Sequence, residues 1–138
     1  RRVGDAKRDI DARIEKTAAD MIVPFGRLAE MMERYRDGYR ERGLDCAIWG
    51  HISDGNLHPN VLPRSYDDVR AGKEAILAFG RDVAAMGGCP LAEHGVGRNP
   101  VKQALLAQMV GHQGIAEMRA IRRTLDPDQR LAPGVLFS

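Results

Sequence analysis

Two strand-like runs, "CAIWGHI" and "NLHPNVLP", flank the tripeptide Ser53-Asp54-Gly55. This arrangement constrains the fold more than any other feature of the chain. Asp-Gly between apolar runs is a strong hairpin signal, because a type I′ turn needs two consecutive residues with positive φ. With Asp54 and Gly55 in those positions, Ser53 lies opposite Asn56, Ile52 opposite Leu57, and His51 opposite His58. Directly paired residues hold their Cβ atoms about 4.5 to 5.5 Å apart, so one small ion could bridge the two imidazoles. Strand alternation then sets Trp49 and Asn60 on the histidine face, with Ile48, Ile52, Leu57 and Val61 on the other. The aliphatic face reads as core. The histidine face reads either as a metal site or as the half-exposed polar side of an ordinary sheet, and a bulge or longer loop would change the register.

The flanking segments supply the other elements. Residues 1–19 are expected to form a weakly structured or helical arm, with Ile10 and Ile14 its apolar pair. The run Met21 to Pro24, ended by proline, suits a brief strand. Leu28, Met31, Met32, Tyr35 and Tyr39 fall at spacings of three and four, which predicts a helix to about Arg42 closed by Gly43. A second amphipathic helix is predicted from Tyr66 to Met86, with Ile76, Phe79, Val83 and Met86 inward and Gly87-Gly88 as its stop. "CPLAEHGVGRNP" is irregular and glycine-rich, with room for a short strand at its start. Two shorter helices then carry Val101, Leu105, Leu106 and Met109, and Ile115, Met118, Ile121 and Leu125. The tail "LDPDQRLAPGVLFS" reads as extended loop. The order strand, helix, strand, strand, helix, short strand predicts an α+β fold. It is the ferredoxin-like arrangement, an antiparallel sheet with helices packed on one face, here with added C-terminal helices.

Composition narrows the function classes. A chain of 138 residues makes one domain or a piece of something larger, and its opening "RRVGDAK" without methionine suits a processed product or an excised domain. The net charge of +2 comes from interleaved Lys, Arg, Asp and Glu, the pattern of solvated helices, so no nucleic-acid partner is expected. No apolar run approaches the roughly 20 residues of a membrane span, and no signal-peptide pattern opens the chain. Cys46 and Cys89 are isolated and read as reduced thiols. These features point to a cytoplasmic protein.

The second cluster is "AEHGVGRNPVK". On an extended segment Glu93 and His94 would point opposite ways, so they are expected to divide tasks rather than share one ion. Glu93 would complete a His-His-Glu set with an open position, as catalytic divalent metals use, leaving His94 as an acid/base near neutral pH. Arg98 and Lys102 read as exposed, His112 as a surface or capping residue, and Asp54 as a turn residue.

Taken in order, "GHISDGNLHPN", "AEHGVGRNPVK" and "LDPDQRLAPG" resemble the C-terminal cap domain of FAD-linked oxidases. The type is that of the D-lactate, glycolate and D-2-hydroxyglutarate dehydrogenases, and the likeness covers about residues 20 to 135. The resemblance implies that residues 20–138 are the C-terminal part of such a cap domain, without the flavin-binding domain. It implies a divalent metal, zinc or manganese, held by His51, His58 and Glu93, with His94 as the general base and Asn60 as a substrate or metal-shell contact. The implied reaction oxidises a small 2-hydroxy acid, D-lactate by preference, to the 2-oxo acid by hydride transfer to FAD. FAD would be bound mainly by a flavin-binding domain in the parent chain or a separate subunit, so this chain alone would be inactive and could pair as a homodimer. The alternative is a stand-alone metal-binding or assembly module of the same fold with no redox activity. Ser53, Leu91, Ala92, Ala132 and Val135 depart from the family's usual residues, but none of the proposed ligands is lost.

Overall fold

A computed structural model describes residues 7–137, so the first six residues of the expected arm lie outside the described residues. Thr17–Ala18 (β1) and Met21–Ile22 (β2) are two short pieces of one extended run. Helix α1 spans Leu28–Arg40, β3 spans Cys46–His51, β4 spans Asn56–Val61, α2 spans Tyr66–Ala85 and α3 spans Pro100–Leu125.

Strand β4 is central. β3 pairs antiparallel with one edge of it, and β1 and β2 pair antiparallel with the other. Outside β2, Ile22 and Cys89 exchange both backbone hydrogen bonds, at 2.9 and 2.8 Å. The order across the sheet is therefore the 89–91 segment, the β1/β2 run, β4, then β3, which is the ferredoxin-like order the pattern predicts. Thr17–Ala18 belongs to this sheet rather than to the arm.

The core lies between the sheet and α1 and α2. From α1 come Met31, Tyr35 and Tyr39, one helical turn apart, all buried. From α2 come Ile76, Phe79 and Val83, and Phe79 meets Tyr35 and Tyr39 edge-on with centroids 5.0 and 5.1 Å away. Each such aromatic contact adds about 0.5 to 1.5 kcal/mol beyond the burial of the rings. The Ser65 hydroxyl caps α2 by accepting the Asp68 amide. The sheet contributes Met21, Leu57 and Val61 to the same core.

The hairpin register differs from the expected one by two residues. His51 faces Asn56 and Trp49 faces His58. Only Gly55 adopts the left-handed conformation, at φ 74, while Ile52–Asp54 forms a turn of 3-10 helix. A type I′ turn needs two left-handed residues and is not made, so the loop has four residues rather than two. The Gly55 carbonyl accepts the Val23 amide at 3.1 Å, tying the loop to the chain after β2. A shift of two leaves every strand side chain on its predicted face, whereas a shift of one would have reversed them all. Ile52 is the exception, since it sits in the loop and is 59% exposed.

The two C-terminal helices abut as α3, broken at Gly111 (φ 69, ψ 177). The first half buries Leu105 and Leu106 against the core side, while Ile121 and Leu125 in the second half are exposed.

One close approach positions the segment that carries the second motif. A Cβ on Gly88 would collide with the Ile22 carbonyl oxygen and lie 3.1 Å from the Val23 Cα. Gly88→Ala should therefore lever Cys89 to Leu91 off the β2 edge at a cost of about 1 to 3 kcal/mol, read as a lower urea midpoint. An unchanged midpoint would contradict the close packing.

Candidate functional site

The face of β4 turned away from the helices carries Asn56, His58 and Asn60. All three are buried, at 2%, 8% and 3% exposure, an unusual density of polar groups for one strand face. The β3 side of the hairpin adds Trp49 and His51 to the same face. A cleft of about 720 Å³ opens over it, lined by Trp49, His51, His58, Asn60, Glu93 and His94 among others.

The two motifs that are separate in sequence meet here. His51 Nε2 lies 3.6 Å from Glu93 Oε1, and His58 Nε2 lies 4.0 Å from Glu93 Oε2. One ligand atom from each of His51, His58 and Glu93 can be chosen so that all three lie within 4.8 Å of one another. These separations are too long for hydrogen bonds. They are close to the spacing of ligands around one ion, since donors 2.0 to 2.1 Å from a tetrahedral centre stand about 3.4 Å apart. The three residues thus offer a donor set suited to a divalent cation.

Glu93 and His94 do not diverge as an extended segment would make them. The chain bends at these residues, and both backbone amides donate to the same oxygen, Asp20 Oδ2, at 2.8 and 2.6 Å. The bend brings His94 over His58, with ring centroids 5.0 Å apart and planes at 24°. His94 Nε2 stands 3.9 Å from Glu93 Oε2. Asn60, the other candidate, donates from Nδ2 to the His58 carbonyl at 2.6 Å.

Asp20 is the site residue that the sequence reading missed. Its signal is the alternation in "TAADMIVP", where Thr17, Ala19, Met21 and Val23 are buried and Asp20 points the other way. The pairings Thr17 with Val61 and Met21 with Leu57 set Asp20 across from His58. Asp20 is 2% exposed. Burial alone would raise its carboxyl, but the amides of His94 and Glu93 and the Asn56 carboxamide outweigh this and hold it below its ordinary value. Hydrogen bonds to a charged group contribute about 1.5 to 3 kcal/mol each. Three of them match the several kcal/mol that removing an ion from water costs. Asp20 also makes a second possible cation group with His58 and His94.

The remaining candidates fall where expected or take structural roles. Arg98 Nε donates to the Pro133 carbonyl at 2.8 Å, and Lys102 Nζ to the Gly95 carbonyl at 2.8 Å. Asp54 belongs to the turn. His112 is exposed just after the break in α3. Cys46 and Cys89 are free thiols. Among the described residues no helix is long and apolar enough to cross a membrane.

Comparison with known proteins gives concordant matches. The family described as FAD linked oxidases, C-terminal domain, matches residues 5–136. The glycolate oxidase subunit GlcD of Bacillus subtilis is 30% identical over 131 residues, 92% of this chain and 27% of that protein. A D-2-hydroxyglutarate dehydrogenase of Xanthomonas citri is 35% identical over 135 residues, 95% of this chain and 26% of that protein. The mitochondrial D-lactate dehydrogenase [cytochrome] of Arabidopsis thaliana is 30% identical over 125 residues, 89% of this chain and 22% of that protein. The chain spans about a quarter of the length of these relatives.

Proposed function

This chain belongs to the FAD-linked oxidase C-terminal domain family, and from that premise we propose that it is the substrate and metal-site domain of a flavin-dependent D-2-hydroxyacid dehydrogenase. The intact enzyme oxidises a 2-hydroxy acid to the 2-oxo acid. The observation that carries the reading is the convergence of His51, His58 and Glu93, from two motifs over thirty residues apart, at ligand-to-ligand spacing beside His94. The relatives are named for glycolate, D-lactate and D-2-hydroxyglutarate, all 2-hydroxy acids. D-lactate is the preferred substrate of this reading.

In this reading His51, His58 and Glu93 hold one divalent ion, zinc or manganese. When bound, the ion supplies Lewis acidity toward the substrate hydroxyl, and FAD, carried by a flavin-binding domain in the parent chain or a separate subunit, supplies the hydride acceptor. His94 is the general base. Its ring is stacked on His58 with Nδ1 3.2 Å from Asp20 Oδ2, and it removes the hydroxyl proton at Nε2. Asn60, tied to the His58 carbonyl, borders the cleft as a substrate or metal-shell contact. Trp49, half exposed on the same face, forms part of the cleft wall. The exposed apolar face around Ile121 and Leu125 is assigned to contact with the flavin-binding domain or, without it, to a second copy of the chain. The free thiols suit a reducing compartment, and the cytoplasm is part of this reading.

Elemental analysis of the chain purified without an affinity tag tests the metal assignment. The expected result is close to one divalent ion per chain, lost in a His51→Ala/His58→Ala double variant and retained in His94→Ala. In the enzyme completed with its flavin part, His94→Ala should lower turnover on D-lactate by about 10²- to 10⁴-fold. A chain that takes up no zinc or manganese, or a His94→Ala enzyme with normal turnover, would contradict the assignment.

A further inference from the structure

His58 offers two nitrogens to two different neighbours. Nε2 faces Glu93 on the side of His51, whereas Nδ1 faces Asp20 Oδ1 at 3.6 Å. Nδ1 is buried and has no hydrogen-bond partner among the described residues. Which nitrogen carries the proton decides which one can bind a cation, because a neutral imidazole has one donor and one acceptor nitrogen.

The surroundings of Asp20 decide it. Oδ2 already accepts the amides of Glu93 and His94, and Oδ1 accepts Asn56 Nδ2 at 3.3 Å. His94 Nδ1 also stands 3.2 Å from Oδ2, so that oxygen is fully engaged; counting two acceptor positions per carboxylate oxygen, one remains, on Oδ1, and His58 Nδ1 faces that oxygen. A lone pair on Nδ1 would there point at a carboxylate lone pair in a buried site, where repulsion is weakly screened. A hydrogen on Nδ1 turns the same contact into attraction.

We propose that Asp20 is the positioning residue of the site: it keeps the His58 proton on Nδ1, presents the Nε2 lone pair toward His51 and Glu93, and anchors the Glu93–His94 bend from beneath. The inference rests on the metal reading above for its purpose, but its central claim, the tautomer of His58, can be read without any metal. A carboxylate that fixes a ligating histidine in this way sharpens metal affinity by holding ring and lone pair in one orientation.

The test is long-range ¹H–¹⁵N NMR of the metal-free 138-residue chain, at a pH well above the ordinary imidazole range. Zinc affinity by chelator competition is measured on the same protein. The wild type should show His58 as the Nδ1–H tautomer. In Asp20→Asn the carboxamide NH₂ faces Nδ1 and favours a lone pair there, so the His58 proton should move to Nε2. Zinc affinity should fall about 10- to 100-fold with the far-UV circular dichroism unchanged. An Nε2–H tautomer in the wild type overturns the proposal, as does an Asp20→Asn chain with the same tautomer and the same zinc affinity. Should Asp20→Asn fail to fold, the wild-type tautomer alone decides. A wild-type chain that binds no zinc overturns the metal reading instead, while the tautomer still judges Asp20.

Discussion

Strand β4 carries two incompatible demands, and the rest of the structure is arranged to meet both. Leu57 and Val61 must stay in the aliphatic core under α1 and α2, while Asn56, His58 and Asn60 on the opposite face are just as thoroughly withdrawn from water. A strand can do this only when its register is held on both edges, because a one-residue slip would drive histidine into the core. β3 holds one edge through six residue pairs, and the β1/β2 run holds the other. The Gly55 carbonyl bond to Val23 then locks the hairpin to the neighbouring run.

Burying so many polar groups on one face calls for a partner for each. Asp20 meets much of that need, while Asn56 Oδ1 and His58 Nδ1 make no hydrogen bond among the described residues. Asp20 collects the amides of Glu93 and His94 and the Asn56 side chain, and in doing so bends the second motif over the first. The site is therefore an assembly of three chain segments, with the 89–91 bridge to Ile22 delivering Glu93 and His94 to the hairpin. Chemistry and folding share the same bonds here. A change that loosens the bend would move Glu93, the proposed carboxylate ligand, and His94, the proposed base, together.

Much of this was legible from pattern. Period-two alternation on both sides of Asp54-Gly55 assigned Trp49, His51, His58 and Asn60 to one face, and it did so even though the turn type was misread. The four-residue loop shifts the pairing by two, an error to which the face assignment is blind. The spacing of Met31, Tyr35 and Tyr39 found the first helix for the same kind of reason. Two features of the site do not follow from this reading. The bend at Glu93 and His94 depends on a carboxylate more than seventy residues away, and nothing local to "AEHG" encodes it. Asp20 reads as one polar residue before an apolar run when the strand begins at Met21. Extending the alternation back to Thr17 turns Asp20 away from the core; the pairing with β4 then sets it across from His58.

The central claim is that one divalent ion is held by two imidazoles and a carboxylate, with His94 left free. X-ray absorption at the zinc edge of the zinc-loaded chain addresses it most directly. The expected first shell is nitrogen and oxygen only, at about 2.0 to 2.2 Å, with the outer-shell scattering of two imidazoles. A third imidazole would mean that His94 is a ligand rather than a base, and sulfur at about 2.3 Å would place the ion on a cysteine. Either result would contradict the account.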